Sequence, residues 1–129
     1  MEENSKASSR GVVRMWQKEF LDETVAHFNR KNRAYNALIG TCVYDHSVNG
    51  GCAIGRKCSP KLASSLLQKE PVMSAMIFKR LPNKLKRLGR NFLQRVQALH
   101  DNTNCWGDEG LSYTGKNFYS RICEEFNLN

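Results

Sequence analysis

Apolar residues recur at helical spacing in the stretch LPNKLKRLGRNFLQRVQALHDN, residues 81–102. At about 100° per residue these side chains fall within an arc of roughly 80°, which predicts an amphipathic helix with one buried stripe. The stripe consists of Leu81, Leu85, Leu88, Phe92, Val96 and Leu99. Gly89 interrupts it, because glycine inside a helix costs about 1 kcal/mol relative to alanine. Gly89 either caps a short helix over 82–88, followed by a second over 90–101, or lets a neighbouring segment approach closely.

Two other stretches show a helical spacing of apolar residues. In residues 13–30 the stripe consists of Trp16, Phe20, Leu21, Val25 and Phe28. Ser112 is a good capping residue for a last helix. The inward side of that helix consists of Phe118, Tyr119, Ile122, Cys123 and Phe126.

A shorter helix is predicted in the middle of the chain. Ser59 followed by Pro60 is a favourable helix start, and the apolar spacing continues to about Lys69 before Pro71 ends it. The next apolar run, 72–78, fits either a short strand or a buried helical turn, because its periodicity does not distinguish them.

Residues 37–58, ALIGTCVYDHSVNGGCAIGRKC, predict a β-hairpin. β-branched and aromatic residues flank Asn-Gly-Gly, a sequence that tolerates the positive φ angles of tight turns. A two-residue turn would match the strand faces poorly, so we expect a longer polar loop from His46 to Gly51. Gly55, in the second predicted strand, indicates a bulge or a close backbone contact.

These elements predict an α+β fold: one small domain over residues 11–129, with about four helices packed around a short antiparallel hairpin. Residues 1–10 are polar and without periodicity, so they predict a disordered tail. A chain of 129 residues is long enough for one real core, whereas two domains would each be marginal.

The charge is less ordinary than the length. The net charge is +8, with 20 basic and 12 acidic residues. Such a surplus favours polyanionic partners, although it also promotes solubility alone. No apolar run is long enough to cross a bilayer, and the N-terminus lacks a hydrophobic signal core. We therefore expect no membrane partner and a cytoplasmic location.

The surplus is concentrated around the long amphipathic helix, because residues 71–100 contain no acidic side chain. The cations there are Lys79, Arg80, Lys84, Lys86, Arg87, Arg90 and Arg95. A row of such cations suits a phosphate backbone and gives salt-dependent, largely sequence-independent affinity. Further cations that would extend the row are Arg30, Lys31, Arg33, Arg56 and Lys57. A solvated cationic surface without any ligand is the alternative.

Aromatic side chains outside the helix stripes are candidates for stacking on bases. They are Tyr35, Tyr44, Trp106 and Tyr113. No helix-turn-helix, zinc-finger or RNA-recognition signature is visible, which argues against a sequence-specific reader.

A basic surface also suits an acidic host protein, to which the chain would bind as an inhibitor or an adaptor. Trp106, in a polar loop, would anchor such an interface, because tryptophan is enriched in interface hot spots. The alternative is a loop tryptophan folded back over the core.

Five cysteines and three histidines raise the third possibility, a zinc- or thiol-dependent enzyme. Cys42, His46, Cys52 and Cys58 form a C-x3-H-x5-C-x5-C set of zinc-ligand types, without the tight C-x2–4-C pair of structural zinc sites. The alternative is that the cysteines are small buried hydrophobic residues and that no cofactor is present.

A thiol nucleophile would need a base, which His46 or the pair His100-Asp101 would supply to Cys52 or Cys105. The spacing does not show that these residues meet. The glycines and cations of 50–57 lack the G-x4-G-K-S/T pattern of a phosphate loop.

Several short motifs resemble a known group of proteins: FLDETVAHFN, CVYD with GGCAIGRKC, LPNKLKRLG with NFLQRVQALHD, and CW with GLSYTGK. The chain resembles small uncharacterised proteins of phages and gut bacteria that carry a Cys-Ala-Ile/Val-Gly hairpin, a Leu-His-Asp helix end and a Trp loop. The similarity covers most of residues 19–128. It implies no catalytic residue, and it indicates a phage or mobile-element accessory protein acting inside a bacterial cell.

Overall fold

The computed structural model describes residues 2–33, 35–36, 41–46, 49–66 and 74–128, with the side chains of 2–9, 35–36 and 41–42 left out. Within this part there are six α-helices and two two-stranded antiparallel sheets. The helices are α1 (Glu2–His27), α2 (Pro60–Ser65), α3 (Ala75–Arg80), α4 (Asn83–Lys86), α5 (Arg90–Asp101) and α6 (Tyr113–Phe126). The strands are β1 (Tyr35–Asn36), β2 (Thr41–Cys42), β3 (Trp106–Gly107) and β4 (Gly110–Leu111).

Helix α1 begins much earlier than its apolar stripe. The backbone of residues 2–10 is helical, which differs from the predicted disordered tail. Residues 2–10 contain no proline, so nothing in the sequence interrupts the first turns. The helix ends at His27, where the Asn32 side chain donates to the His27 carbonyl and accepts from the Asn29 amide. Apolar periodicity locates only the stretch of a helix that carries apolar residues, so it does not report where α1 begins.

The hairpin lies earlier in the chain than predicted. Tyr35 pairs with Cys42 and Asn36 with Thr41. The predicted second strand is absent from the described residues, because 55–57 form a 3-10 helix. One bond from the Cys52 amide to the Val43 carbonyl, 2.9 Å long, still joins the two predicted arms.

Gly55, in the second predicted arm, lies against the backbone of Tyr44 in the first. A Cβ at this position would overlap the backbone of Tyr44, so the close-contact interpretation of Gly55 is confirmed. Of the predicted loop, Asn49, Gly50 and Gly51 have positive φ angles of 50°, 78° and 93°. Residues 47 and 48 of that loop lie outside the described part.

The long amphipathic stretch is two helices, as one of the two interpretations of Gly89 predicts. Gly89 has a φ of 90° and forms the N-cap of α5. The predicted stripe residues are all buried, at 3% exposure or less. Helix α5 packs against α6, and its residues Phe92, Leu93, Val96 and Leu99 are fully buried.

Serine caps start three of the helices. The hydroxyl groups of Ser59, Ser74 and Ser112 accept from the amides of Leu62, Ile77 and Gly115. The run 72–78 therefore contains a helical turn from Ala75, whereas residues 72 and 73 lie outside the described part. Helix α2 ends at Ser65, and the remaining residues of its predicted span after Leu66 lie outside the described part.

The α+β fold, mostly helical with a short antiparallel hairpin, is confirmed, with six α-helices described rather than about four. The domain boundary at residue 11 stays a prediction. In the segment predicted as a polar loop, Trp106 pairs with Leu111 and Gly107 with Gly110 in a second small hairpin. No helix in the described ranges combines the length and hydropathy needed to cross a bilayer.

Candidate nucleic-acid interface

The basic segment, defined here as residues 79–90, comprises the end of α3, all of α4 and the start of α5. Leu81, Leu85 and Leu88 point into the core, at 3% exposure each. The helical spacing therefore turns the charged positions outward. Five of them are exposed and Lys86 is half-buried; the exposed ones are Lys79, Arg80, Lys84, Arg87 and Arg90.

Most ion pairs that the structure describes lie away from the basic segment. In the described residues, no carboxylate lies within 4 Å of the charged atoms of Lys79, Lys84, Lys86 or Arg87. Arg80 donates to a neutral partner, the Ser65 hydroxyl, at 2.5 Å. No described carboxylate therefore offsets the charge of these cations at close range.

Two cations that the sequence assigned to the same face have acidic partners. Arg95 donates from Nε to Glu125 at 2.7 Å, and its guanidinium lies 4.8 Å from the centre of the Phe118 ring. Arg30 pairs with Asp108. These two side chains contribute less to an anion site than the sequence predicts, because neighbouring carboxylates offset their charge.

Arg56 and Lys57 share the Glu23 carboxylate. Arg56 donates to both Glu23 oxygens, at 2.8 and 2.5 Å, and Lys57 Nζ lies 3.3 Å from one of them. Partial burial opposes ionisation of Glu23, but the bonds from Arg56 and the charges of Arg56 and Lys57 lower its pKa overall. The Arg56 side chain is 9% exposed, so it acts as a structural partner of α1.

Arg33 is also structural, because it is 8% exposed. Its guanidinium donates to the His100 carbonyl at 2.7 Å and to the Thr103 hydroxyl at 3.1 Å. Both bonds join Arg33 to the C-terminal end of α5 and the turn that follows it. Lys31, in contrast, is exposed.

A groove of about 460 Å³ runs between α1 and α4. Its apolar lining includes Trp16, Phe20, Leu85 and Leu88. Its charged lining comprises Lys57, Lys84, Arg87, Glu19 and Glu23. The groove therefore brings cations from the basic segment beside a cation from the 3-10 helix at 55–57.

Trp16 and Arg87 form a stacked pair at this groove. The Arg87 guanidinium carbon lies 3.8 Å from the centre of the half-buried Trp16 ring. The apolar spacing assigned Trp16 to the core stripe of α1 and gave no reason to expect a role in binding. No local signal joins Trp16 to Arg87, because the contact depends on how α1 packs against α4.

Trp106 does not lie on the surface. It is 3% exposed, and its indole N–H donates to the Leu99 carbonyl at 2.9 Å. The alternative, a loop tryptophan folded back over the core, is therefore correct, and Trp106 cannot anchor an interface on the folded chain. Among the other stacking candidates, Tyr44 is buried, Tyr113 is 81% exposed, and the Tyr35 side chain lies outside the described part.

The hairpin cysteines do not assemble into a metal centre within the described residues, where no group of three ligand side chains is found. The Cys42 side chain lies outside that part. His46 Nε2 is 2.7 Å from the Gly55 carbonyl. Cys52 and Cys58 are buried, and their sulfurs contact the Gly55 amide and the Ile54 carbonyl. His46, Cys52 and Cys58, the members of the set whose side chains are described, thus each contact a backbone group.

Two of the described thiols, those of Cys58 and Cys105, do not resemble activated nucleophiles. Burial raises the pKa of Cys58 to about 11 and also raises the pKa of Cys105, which disfavours the reactive thiolate. His100 is fully buried and directs Nδ1 to Asp101 at 2.8 Å. Its Nε2 makes no hydrogen bond within the described residues. The structure thus describes no bond between His100 and a cysteine.

No family model, curated protein or solved structure matches the chain. The resemblance to phage and gut-bacterial proteins therefore stays a prediction. Within the described residues, the cations of the basic segment are exposed or half-buried, whereas Cys52, Cys58 and Trp106 are buried.

Proposed function

We propose that this chain is a non-enzymatic protein that binds nucleic acid through the basic segment. The observation that supports it most is the set of four cations without a carboxylate partner in the described residues: Lys79, Lys84, Lys86 and Arg87. Each such cation that neutralises a phosphate releases a condensed counterion, which favours binding at low salt. The contacts would be to the backbone, so affinity should depend little on sequence.

The surroundings of the segment support the same proposal. Short helices held by buried leucines fix the backbone positions from which the charged side chains project, so the backbone of the segment gains little order on binding. With the motifs of the sequence resemblance, the proposal places the protein in a bacterial cytoplasm, as an accessory protein of a phage or mobile element.

The test is a charge reversal with a matched control. The test variant carries Lys79→Glu, Lys84→Glu and Lys86→Glu. The control carries Arg14→Glu, Lys116→Glu and Arg121→Glu, three exposed cations outside the segment and outside the predicted row of cations. Both variants lower the net charge from +8 to +2, so a difference between them reports position and not total charge.

Binding of mixed-sequence nucleic acid is measured by fluorescence anisotropy from low to moderate salt. We expect the wild type and the control to lose affinity steeply as salt rises. The test variant should bind more weakly, and on duplex DNA its salt slope should be smaller by about 0.9 for each phosphate that it no longer neutralises. An equal decrease in affinity for both variants, or affinity that ignores salt, would contradict the proposal.

An acidic host protein is the competing partner. Its predicted anchor, Trp106, is buried, which weakens that candidate. A pull-down from nuclease-treated lysate separates the two partners, because a protein survives nuclease. If the wild type captures a stoichiometric acidic protein that the test variant does not, and the pure chain binds no nucleic acid, the host protein replaces nucleic acid as the partner.

A further inference from the structure

The stacked pair Trp16–Arg87 is more than a packing contact. Arg87 is an exposed side chain whose guanidinium is held over a tryptophan ring, and the pair lines the groove between α1 and α4. A guanidinium held over an aromatic ring presents a flat cationic surface at a defined place beside the groove. Bases stack on such guanidinium planes as well as on aromatic rings.

The charges around the pair suit a nucleotide. Lys84, which has no carboxylate partner in the described residues, lines the same groove and provides a cation for a phosphate. The charge of Glu23 is offset by Arg56 and Lys57. Glu19 accepts hydrogen bonds, and the N–H groups of bases donate them. The groove thus combines a stacking surface, a phosphate partner and an acceptor.

We propose that this groove binds single-stranded nucleic acid, with a base stacked against the Trp16–Arg87 pair and the adjoining phosphate on Lys84. A duplex keeps its bases stacked within the helix, so it cannot use this surface, whereas a single strand can. The inference rests on the proposed function and names the form of nucleic acid that the basic segment would take.

Tryptophan fluorescence reads the groove directly, because the other tryptophan, Trp106, is 3% exposed. The ligands are a short thymidine oligonucleotide, an abasic strand of the same length and a duplex of mixed sequence. The Trp16→Phe variant removes the indole fluorophore of the groove but keeps an aromatic ring there. The Arg87→Lys variant keeps the positive charge but removes the planar guanidinium. Circular dichroism checks that both variants fold.

We expect the oligonucleotide to quench the wild type and the Trp16→Phe variant to lose that quenching. The Arg87→Lys variant should bind the oligonucleotide at least about fivefold more weakly and the abasic strand within about twofold of the wild type. The wild type should bind the oligonucleotide more tightly than the abasic strand at the same salt concentration.

Other results separate this inference from the proposed function. Charge-dependent binding without quenching, and with equal affinity for the two strands, would overturn the groove inference and leave the proposed function intact. Binding of the duplex that exceeds binding of the oligonucleotide would also overturn it. If none of the three ligands binds at low salt, both proposals fail together.

Discussion

Two glycines inside helices show how one residue type serves opposite purposes. An added Cβ at Gly11, in α1, would meet no heavy atom within 4 Å. At Gly115, in the first turn of α6, it would overlap the Cys105 carbonyl oxygen. That carbonyl accepts from the Ser112 amide at 2.9 Å, so it is not free to move. Gly115 therefore allows a close contact that α6 needs, whereas Gly11 only weakens α1.

The same substitution should thus have opposite effects at the two positions. We expect Gly11→Ala to raise the free energy of unfolding by up to about 1 kcal/mol, because alanine is the better helix former. Gly115→Ala should lower it by about 1–3 kcal/mol, because backbone atoms must shift to admit the methyl group. Urea denaturation followed by circular dichroism measures both. A Gly115→Ala protein as stable as the wild type would contradict the close contact.

At the scale of elements, Gly89 separates helix α4 from helix α5. Its φ of 90° and ψ of 142° belong to a region that residues other than glycine rarely adopt, and no heavy atom lies within 4 Å of an added Cβ. The requirement at Gly89 is thus purely conformational, unlike that at Gly115.

We therefore expect Gly89→Ala to lower the free energy of unfolding by about 1–3 kcal/mol, the usual cost of an unfavourable backbone conformation. Chemical denaturation is the measurement, with Gly11→Ala as the control, since it adds the same methyl group at an ordinary helical position. An unchanged midpoint for Gly89→Ala would mean that the backbone at this position does not need a positive φ.

Elements that depend on nearby residues were predictable from the sequence. The caps at Ser59 and Ser112, and the break at Gly89, follow from residues within one helical turn. The second arm of the hairpin was predicted wrongly, because residues 55–57 form a 3-10 helix; periodicity does not encode the contact that Gly55 makes with Tyr44. The stripe of the long amphipathic stretch was predictable because its burial repeats at the helical period.

At the scale of the whole molecule, the pairing of charges was not predictable. The sequence located the cations, but not that Arg95 meets Glu125, that Arg56 meets Glu23, or that Trp16 lies beneath Arg87. These pairs join segments far apart in the chain, and their formation depends on the packing of the helices. The sequence therefore predicted the cations of the candidate site, but not which of them have carboxylate partners or that Trp16 lies beside them.

His100 connects several parts of the molecule in the same way. Its ring lies edge-to-face against Phe28 at the end of α1, with ring centres 4.8 Å apart, and its carbonyl accepts from Arg33. Burial lowers the pKa of His100; the neighbouring Asp101 opposes this, whereas Arg33 and Arg56 reinforce it. The folded chain therefore holds His100 neutral at a pH at which the unfolded chain binds a proton.

The sign of the pH dependence follows from that difference. The stabilising effect of a neutral His100 is fully present above the pKa of His100 in the unfolded chain, about 6.5. It is lost as the pH falls towards the lower pKa of His100 in the folded chain. We expect the free energy of unfolding to fall between about pH 7.5 and about pH 5.5, with a slope of at most about 1.4 kcal/mol per pH unit for this proton. Carboxylates stay largely ionised in that range.

Urea denaturation of two variants assigns the effect. His100→Gln keeps an N–H donor for Asp101 but cannot titrate, so its stability should depend less on pH than that of the wild type. His27 is the control, because burial and the charge of Arg56 also lower its pKa although the side chain is largely exposed. His27→Gln should therefore keep most of the pH dependence. If His27→Gln removes the pH dependence and His100→Gln does not, the proton responsible binds His27 at the end of α1 and not the buried His100 ring.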